Sequence, residues 1–276
     1  MTVRLKHASN APLGGTEFED FIVHVGKFGK RGDAAHQGLY EISATQRYAL
    51  GTRVVDSDGR VFRYALAAAT VAPGFGASNN NTFNGITGGV VNAQAIGDKV
   101  CSLLLDATTG GATWFGTKNR MAGGYISLPT GSPPQFRRIV SHPAGDNADT
   151  IVVTLDGPFS RALTAAEMAE VIQNPYSALY TGGNFDSVVG VPLVSITTGY
   201  YGWIQTWGPT WITPDVAGVG SEAHGRQLIF VGNGAIELVN DMDPSTYACQ
   251  HAGFILGTSA AGDWTNPPFV MLQISP

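Results

Sequence analysis

The chain's densest set of residues suited to recognition chemistry is Gly199-Tyr-Tyr-Gly-Trp-Ile-Gln-Thr-Trp-Gly208. Tyr and Trp rings hold sugars or nucleobases because each offers a flat apolar face beside a polar edge. Strand alternation would place Tyr201, Trp203, Gln205 and Trp207 on one face, with Gly202, Ile204 and Thr206 opposite. The same row could pack a core or a subunit interface. Cleavage of a glycan would further need two carboxylates facing across a cleft. Asp215, Glu222 and Glu237 are the acids whose convergence would supply them.

Other chemical templates find little support. The chain has no Gly-x-Ser-x-Gly and no Walker A sequence. The pairs Gly74/Gly76, Gly218/Gly220 and Gly232/Gly234 lack the third glycine of a dinucleotide loop and read as turns. His7, His24, His36, His142, His224 and His251 are scattered without metal-ligand spacing. Asp56-Ser-Asp58-Gly59 opens like a calcium loop, but its twelfth position is Ala67 where a Glu is required. Asp241 and Asp243 form another acidic pair in an expected loop. Arg137 and Arg138 would point to opposite faces of a strand, so they make no phosphate clamp. Cys101 and Cys249 fit neither a disulfide framework nor a zinc site and are expected as buried thiols. We therefore expect no enzyme: no catalytic residue, no cofactor or cofactor-binding residue, and no metal ligand.

Composition agrees with an adhesive rather than a catalytic body. Charged residues make up 13% of the 276, and 36 are glycine, a bias toward strands, tight turns and surfaces that face other subunits. The net charge of −5 argues against a general nucleic-acid binder. Residues 1–162 hold 15 Lys/Arg against 12 Asp/Glu, whereas residues 163–276 hold Arg226 against nine acids. That polarity suggests two faces of opposite sign. The N-terminus lacks the apolar core of a signal peptide, and no apolar run is long enough to span a membrane.

The elements that must position these residues are short strands. Asp58-Gly59 reads as a type I′ turn between 53–57 and 60–64, and Asn233-Gly234 as the turn of a second hairpin over 227–239. Further strands are expected at 21–25, 100–105, 124–128, 136–140, 150–155, 191–196, 201–206, 252–256 and 269–274, with 73–89 an exposed loop. One helix is expected over 165–173, from the capping box of Thr164 and Glu167 and a staple of Leu163 with Met168, ending before Pro175. The expected fold is mainly β, an antiparallel sandwich or barrel with one short helix. Its organisation is an extended N-terminal arm over 1–45, a β-rich body over 46–215, and C-terminal hairpins over 216–276 that can belong to the same body.

Several of these stretches resemble a recurrent group of tailed-phage particle proteins, the capsid cement or decoration type. They are Leu50-Gly-Thr-Arg-Val-Val-Asp-Ser-Asp-Gly-Arg-Val-Phe-Arg-Tyr64, Gln135-Phe-Arg-Arg-Ile-Val-Ser-His-Pro143, Asn174-Pro-Tyr176, Val189-Gly-Val-Pro192, and Gly199-Tyr-Tyr-Gly-Trp-Ile-Gln-Thr-Trp-Gly-Pro209. The resemblance implies a β-rich protein made in the bacterial host and bound to the outer capsid lattice in many copies, without catalytic residues. Its partners would be the major capsid protein and other copies of itself, a trimer being the expected assembly, with no membrane and no specific nucleic acid. An arm and a body linked in one chain would gain avidity of roughly 10²–10⁴ over either contact alone. Two alternatives stand beside this reading: a tail, baseplate, neck or fibre subunit, and a glycan-binding β module.

Overall fold

The computed structural model describes residues 21–23, 37–79, 89–105, 114–182, 186–219, 225–241, 250–257 and 267–276. In chain order the strands are β1 (Phe21–Val23), β2 (Arg53–Val55), β3 (Val61–Leu66), β4 (Ala77–Asn79), β5 (Val100–Leu104), β6 (Tyr125–Leu128), β7 (Gln135–Ser141) and β8 (Thr150–Leu155). They continue with β9 (Glu170–Ile172), β10 (Leu179–Thr181), β11 (Val188–Pro192), β12 (Tyr201–Trp211), β13 (Gln227–Phe230), β14 (Ile236–Leu238), β15 (Gln250–Gly257) and β16 (Phe269–Gln273). The fold is mainly β, as expected: two curled sheets, each a half-barrel, antiparallel apart from β1, which runs parallel to β2. Among the described residues no helix is long and apolar enough to cross a membrane.

The chain divides into two compact units. Unit 1 comprises 1–80 and 176–276; unit 2 is 81–175, inserted between them. This division differs from the expected one at 45/46 and 215/216. Residues 37–45 are not a free arm: Gln37 and Leu39 are buried, and Ser43 bridges Tyr201. The rest of the expected arm, apart from β1, lies outside the described residues.

Unit 1 is an eleven-stranded sheet with the path β1-β2-β3-β12-β16-β15-β13-β14, while β4 joins β10 and β11 at its side. Hairpin loops set its registers. Both expected hairpins form, but each loop has three residues rather than two. Asp56 and Arg60 close the first, with the Gly59 N–H bonded to the Asp56 carbonyl and Gly59 at φ +87. Val231 and Ala235 close the second in the same way around Gly234 at φ +83. This is a type I turn followed by a left-handed glycine, and the side chains of Asp58 and Asn233 brace it by accepting the N–H of Arg60 and Ala235.

Unit 2 is a five-stranded sheet, β5-β8-β7-β6-β9, around a core of Leu103, Phe115, Ile126, Ile139, Val153 and Phe159. Residues 89–94 close it: Val90 bridges Leu103 on one side, and Gln94 bridges Leu163 on the other. The helix expected over 165–173 does not form. Glu167 accepts the Thr164 N–H at 2.7 Å, so half of the capping box is made. Ala166 then turns to φ +68, and Val90 exchanges backbone bonds with Ala166 and Glu167. Glu170–Ile172 goes on to pair with β6. Met168 is exposed, so no staple exists. A helix of about ten residues is marginal on its own, and the ladder outcompetes it.

Candidate functional site

The aromatic strand β12 does not keep one face. A bulge between Gln205 and Trp207 resets the alternation, so Trp207 lies opposite to Tyr201, Trp203 and Gln205 instead of beside them. Its cause is visible: the Thr206 carbonyl and hydroxyl bind Ile274 and Ser275, while the Gln205 amide donates to the Trp207 and Pro209 carbonyls. Trp203 is 2% exposed and packs with Tyr48 and Tyr64 over Phe62, Leu39 and Val54. Its indole N–H donates to the Gln37 carbonyl. The Tyr64 hydroxyl donates to Gln37 Oε1 and accepts the Arg47 N–H; burial pushes its pKa up to about 12. In this half of the stretch Trp203 is core, Tyr201 is half-buried against it and Tyr200 is exposed.

Beyond the bulge, Trp207, Pro209 and Trp211 face outward. Register places Trp211 beside Phe269, and Phe269 beside Gly257; the next row is Pro209, Met271, Phe254 and Gln227 across β12, β16, β15 and β13. Trp211 is 57% exposed and its ring meets Phe269 at 5.0 Å. Phe254 and Leu256 are also exposed. Gln273, opposite Trp207, and Gln227 flank these rows.

The acids proposed for a cleft assemble only in part. Glu237 titrates above the usual carboxylate range because of burial first and the charges of Asp215 and Asp241 second. Asp215 accepts the Asn233 side-chain amide at 2.6 Å. Glu222, Asp243, Cys249, His7, His24, His36 and His224 lie outside the described residues. A depression of about 150 Å³ is lined by Gly225, Arg226, Gln227, Leu238, Val239 and Asn240, with no carboxylate among them. Asp56 and Asp58 hold no cation site either, since both carboxylates are taken by Arg60 at 2.7 and 2.6 Å. No group of three or more His, Cys, Asp or Glu among the described residues could hold a metal ion.

Arg137 and Arg138 do diverge: the Arg137 guanidinium binds the Pro158 carbonyl, and Arg138 is exposed. The cation pair on one face is elsewhere. Arg53 and Arg63 stand directly opposite on β2 and β3, and Arg63 reaches the Gly51 carbonyl and the ring of Tyr176. Burial, then the Arg63 charge, lowers the Arg53 pKa. A two-residue loop at 58–59 would have set Arg53 against Tyr64; the three-residue loop makes the pair.

In unit 2 the ionisable groups are structural. Arg161 grips Glu167 at 2.7 and 2.9 Å and also donates to the Thr130, Pro133 and Ala162 carbonyls. This pairing holds the Glu167 pKa down at about 2. The Cys101 thiol is buried and pushed up to about 12, chiefly by desolvation and then by Glu167, which makes it unreactive. His142 accepts the Met121 N–H at Nε2 and meets the Pro143 carbonyl at Nδ1, so the neutral ring carries its proton on Nδ1.

The outward side of the five-stranded sheet is the second exposed surface. Val100, Leu104, Phe136, Val140 and Val152 on it are each between 39% and 55% exposed, although its inward side is already a full apolar core. Val152 sits across from Ser102, diagonal to Val100 and Leu104, while Phe136 stacks on Tyr125 at 5.0 Å. Strands apolar on both sides are the pattern of sheets covered on both sides. No protein-family model, no curated protein and no solved structure matches the chain.

Proposed function

We propose that this chain is a non-catalytic structural subunit of a tailed-phage particle, a capsid cement or decoration protein that binds the lattice and bridges neighbouring capsomers. The observation that carries the reading is the outward side of the unit 2 sheet, where apolar side chains stand in solvent over an apolar core. Apolar surface of this kind is a contact surface in waiting. On the resemblance of the 50–64 and 135–143 segments to phage particle proteins, the partner in this reading is the major capsid protein, and self-association into a trimer would be the closed assembly. The Arg161–Glu167 clamp and the 89–94 closure keep the sheet rigid for docking.

Purified particles test this directly. A cement protein is present in hundreds of copies on the capsid lattice, whereas a tail, baseplate or neck part is present in a dozen or so. Val152→Lys should leave the fold intact and reduce particle association by tenfold or more, as expected of a charge buried in an apolar contact. Absence of the chain from particles, or unchanged association of the variant, would overturn the reading.

A further inference from the structure

We propose that the outward side of β12, β16 and β15 in unit 1 is a binding site for a neutral glycan chain. The inference is independent of the adhesive role assigned to unit 2. Three observations carry it. First, Trp211, Phe269, Pro209, Met271 and Phe254 are adjacent by register, and the exposed Trp211 ring and Phe269 ring meet at 39°, presenting two stacking faces to a sugar.

Second, no charged side chain stands in either row, and the side-chain amides of Gln227, at the β13 end of the second row, and Gln273, beside that row on β16, make no hydrogen bond within the described protein. An apolar protein partner would bury those amides unpaired, at a cost; sugar hydroxyls both donate to and accept from them. Gln227 also lines the depression beside Arg226 and Asn240, which leaves room for a substituent. Third, the area is small. Three strands at about 4.8 Å spacing and two rows about 7 Å apart make a footprint on the order of 300 Å² with side-chain width. Each partner in a stable protein pair buries roughly 800 Å².

The full chain is titrated with cellohexaose, maltohexaose and chitohexaose, followed by calorimetry and tryptophan fluorescence. At least one should bind saturably. Trp211→Ala should weaken that binding by roughly three- to tenfold or more, and Gln273→Ala by less, with the thermal midpoint unchanged since Trp211 is exposed. Failure of all three sugars to bind, or binding unaffected by Trp211→Ala, would overturn the proposal. So would tight capture of a proline-rich peptide in place of sugar. If Trp211→Ala instead removes the chain from particles with no sugar bound, the face is a protein contact; this proposal then falls and the structural role stands.

Discussion

The carboxylate of Glu167 binds a neighbouring backbone N–H and, at the same time, a guanidinium six residues earlier. Its folded pKa near 2 lies below the ordinary value of 4.5. The pair therefore contributes full stability above about pH 4.5 and loses it as pH falls toward 2. Glu167→Gln should destabilise unit 2 by roughly 2–4 kcal/mol in urea unfolding at pH 7, because Arg161 is left gripping a neutral group. It should also flatten the acid limb of the stability curve. His142 makes a second, milder limb. Burial lowers its pKa, and protonation at Nε2 would cost the Met121 N–H its acceptor. Stability is then complete above about pH 6.5 and declines below it; His142→Gln, followed by unfolding between pH 7 and 5, should remove that slope.

At the scale of the element, the two hairpins show what turn chemistry can and cannot announce. Asp58-Gly59 and Asn233-Gly234 mark both turns in the sequence, because a left-handed position next to a side-chain acceptor suits these pairs. The third loop residue is not announced, and one residue of register moves every side chain to a new partner. That is how Arg53 came to face Arg63. The glycines differ in consequence. A Cβ at Gly59 would meet nothing, so Gly59→Ala should cost about 1 kcal/mol of backbone strain. At Gly234 a Cβ would come within 2.6 Å of the Gly76 carbonyl oxygen. Gly234→Ala should therefore cost more, by about 1–3 kcal/mol, and paired denaturation curves of the two variants measure the difference.

For the whole molecule, the insertion explains why chain polarity is not body polarity. Unit 1 contains ten basic and fourteen acidic residues, and unit 2 six and seven. The basic-leaning β2–β3 hairpin is zipped onto β12 of the acidic half, so a simple basic face and acidic face do not follow from the halves. The insertion also enters and leaves unit 1 at one place: Asn79 and Leu179 are direct partners in the β4–β10 pair, and the Asn79 amide binds the Ser177 carbonyl. Replacing 81–175 by a short Gly-Ser link should leave unit 1 folded, with the Trp203 emission and a cooperative thermal transition retained. A chain that loses both would show that the units fold only together.

The sequence by itself determined the β class, the strand at 150–155 to the residue, both hairpin positions, and the absence of familiar catalytic motifs. These depend on period, turn residues and spacing, which are local. Tertiary structure decided the rest. The helix over 165–173 yielded to a ladder with Val90 and β6, partners 40 or more residues away. A bulge held by Ile274 and Ser275 sent Trp203 inward and Trp211 outward, and only the returning strand β16 placed Phe269 beside it. Long-range pairing chooses which side of each strand meets water, and no window of neighbouring residues contains that choice.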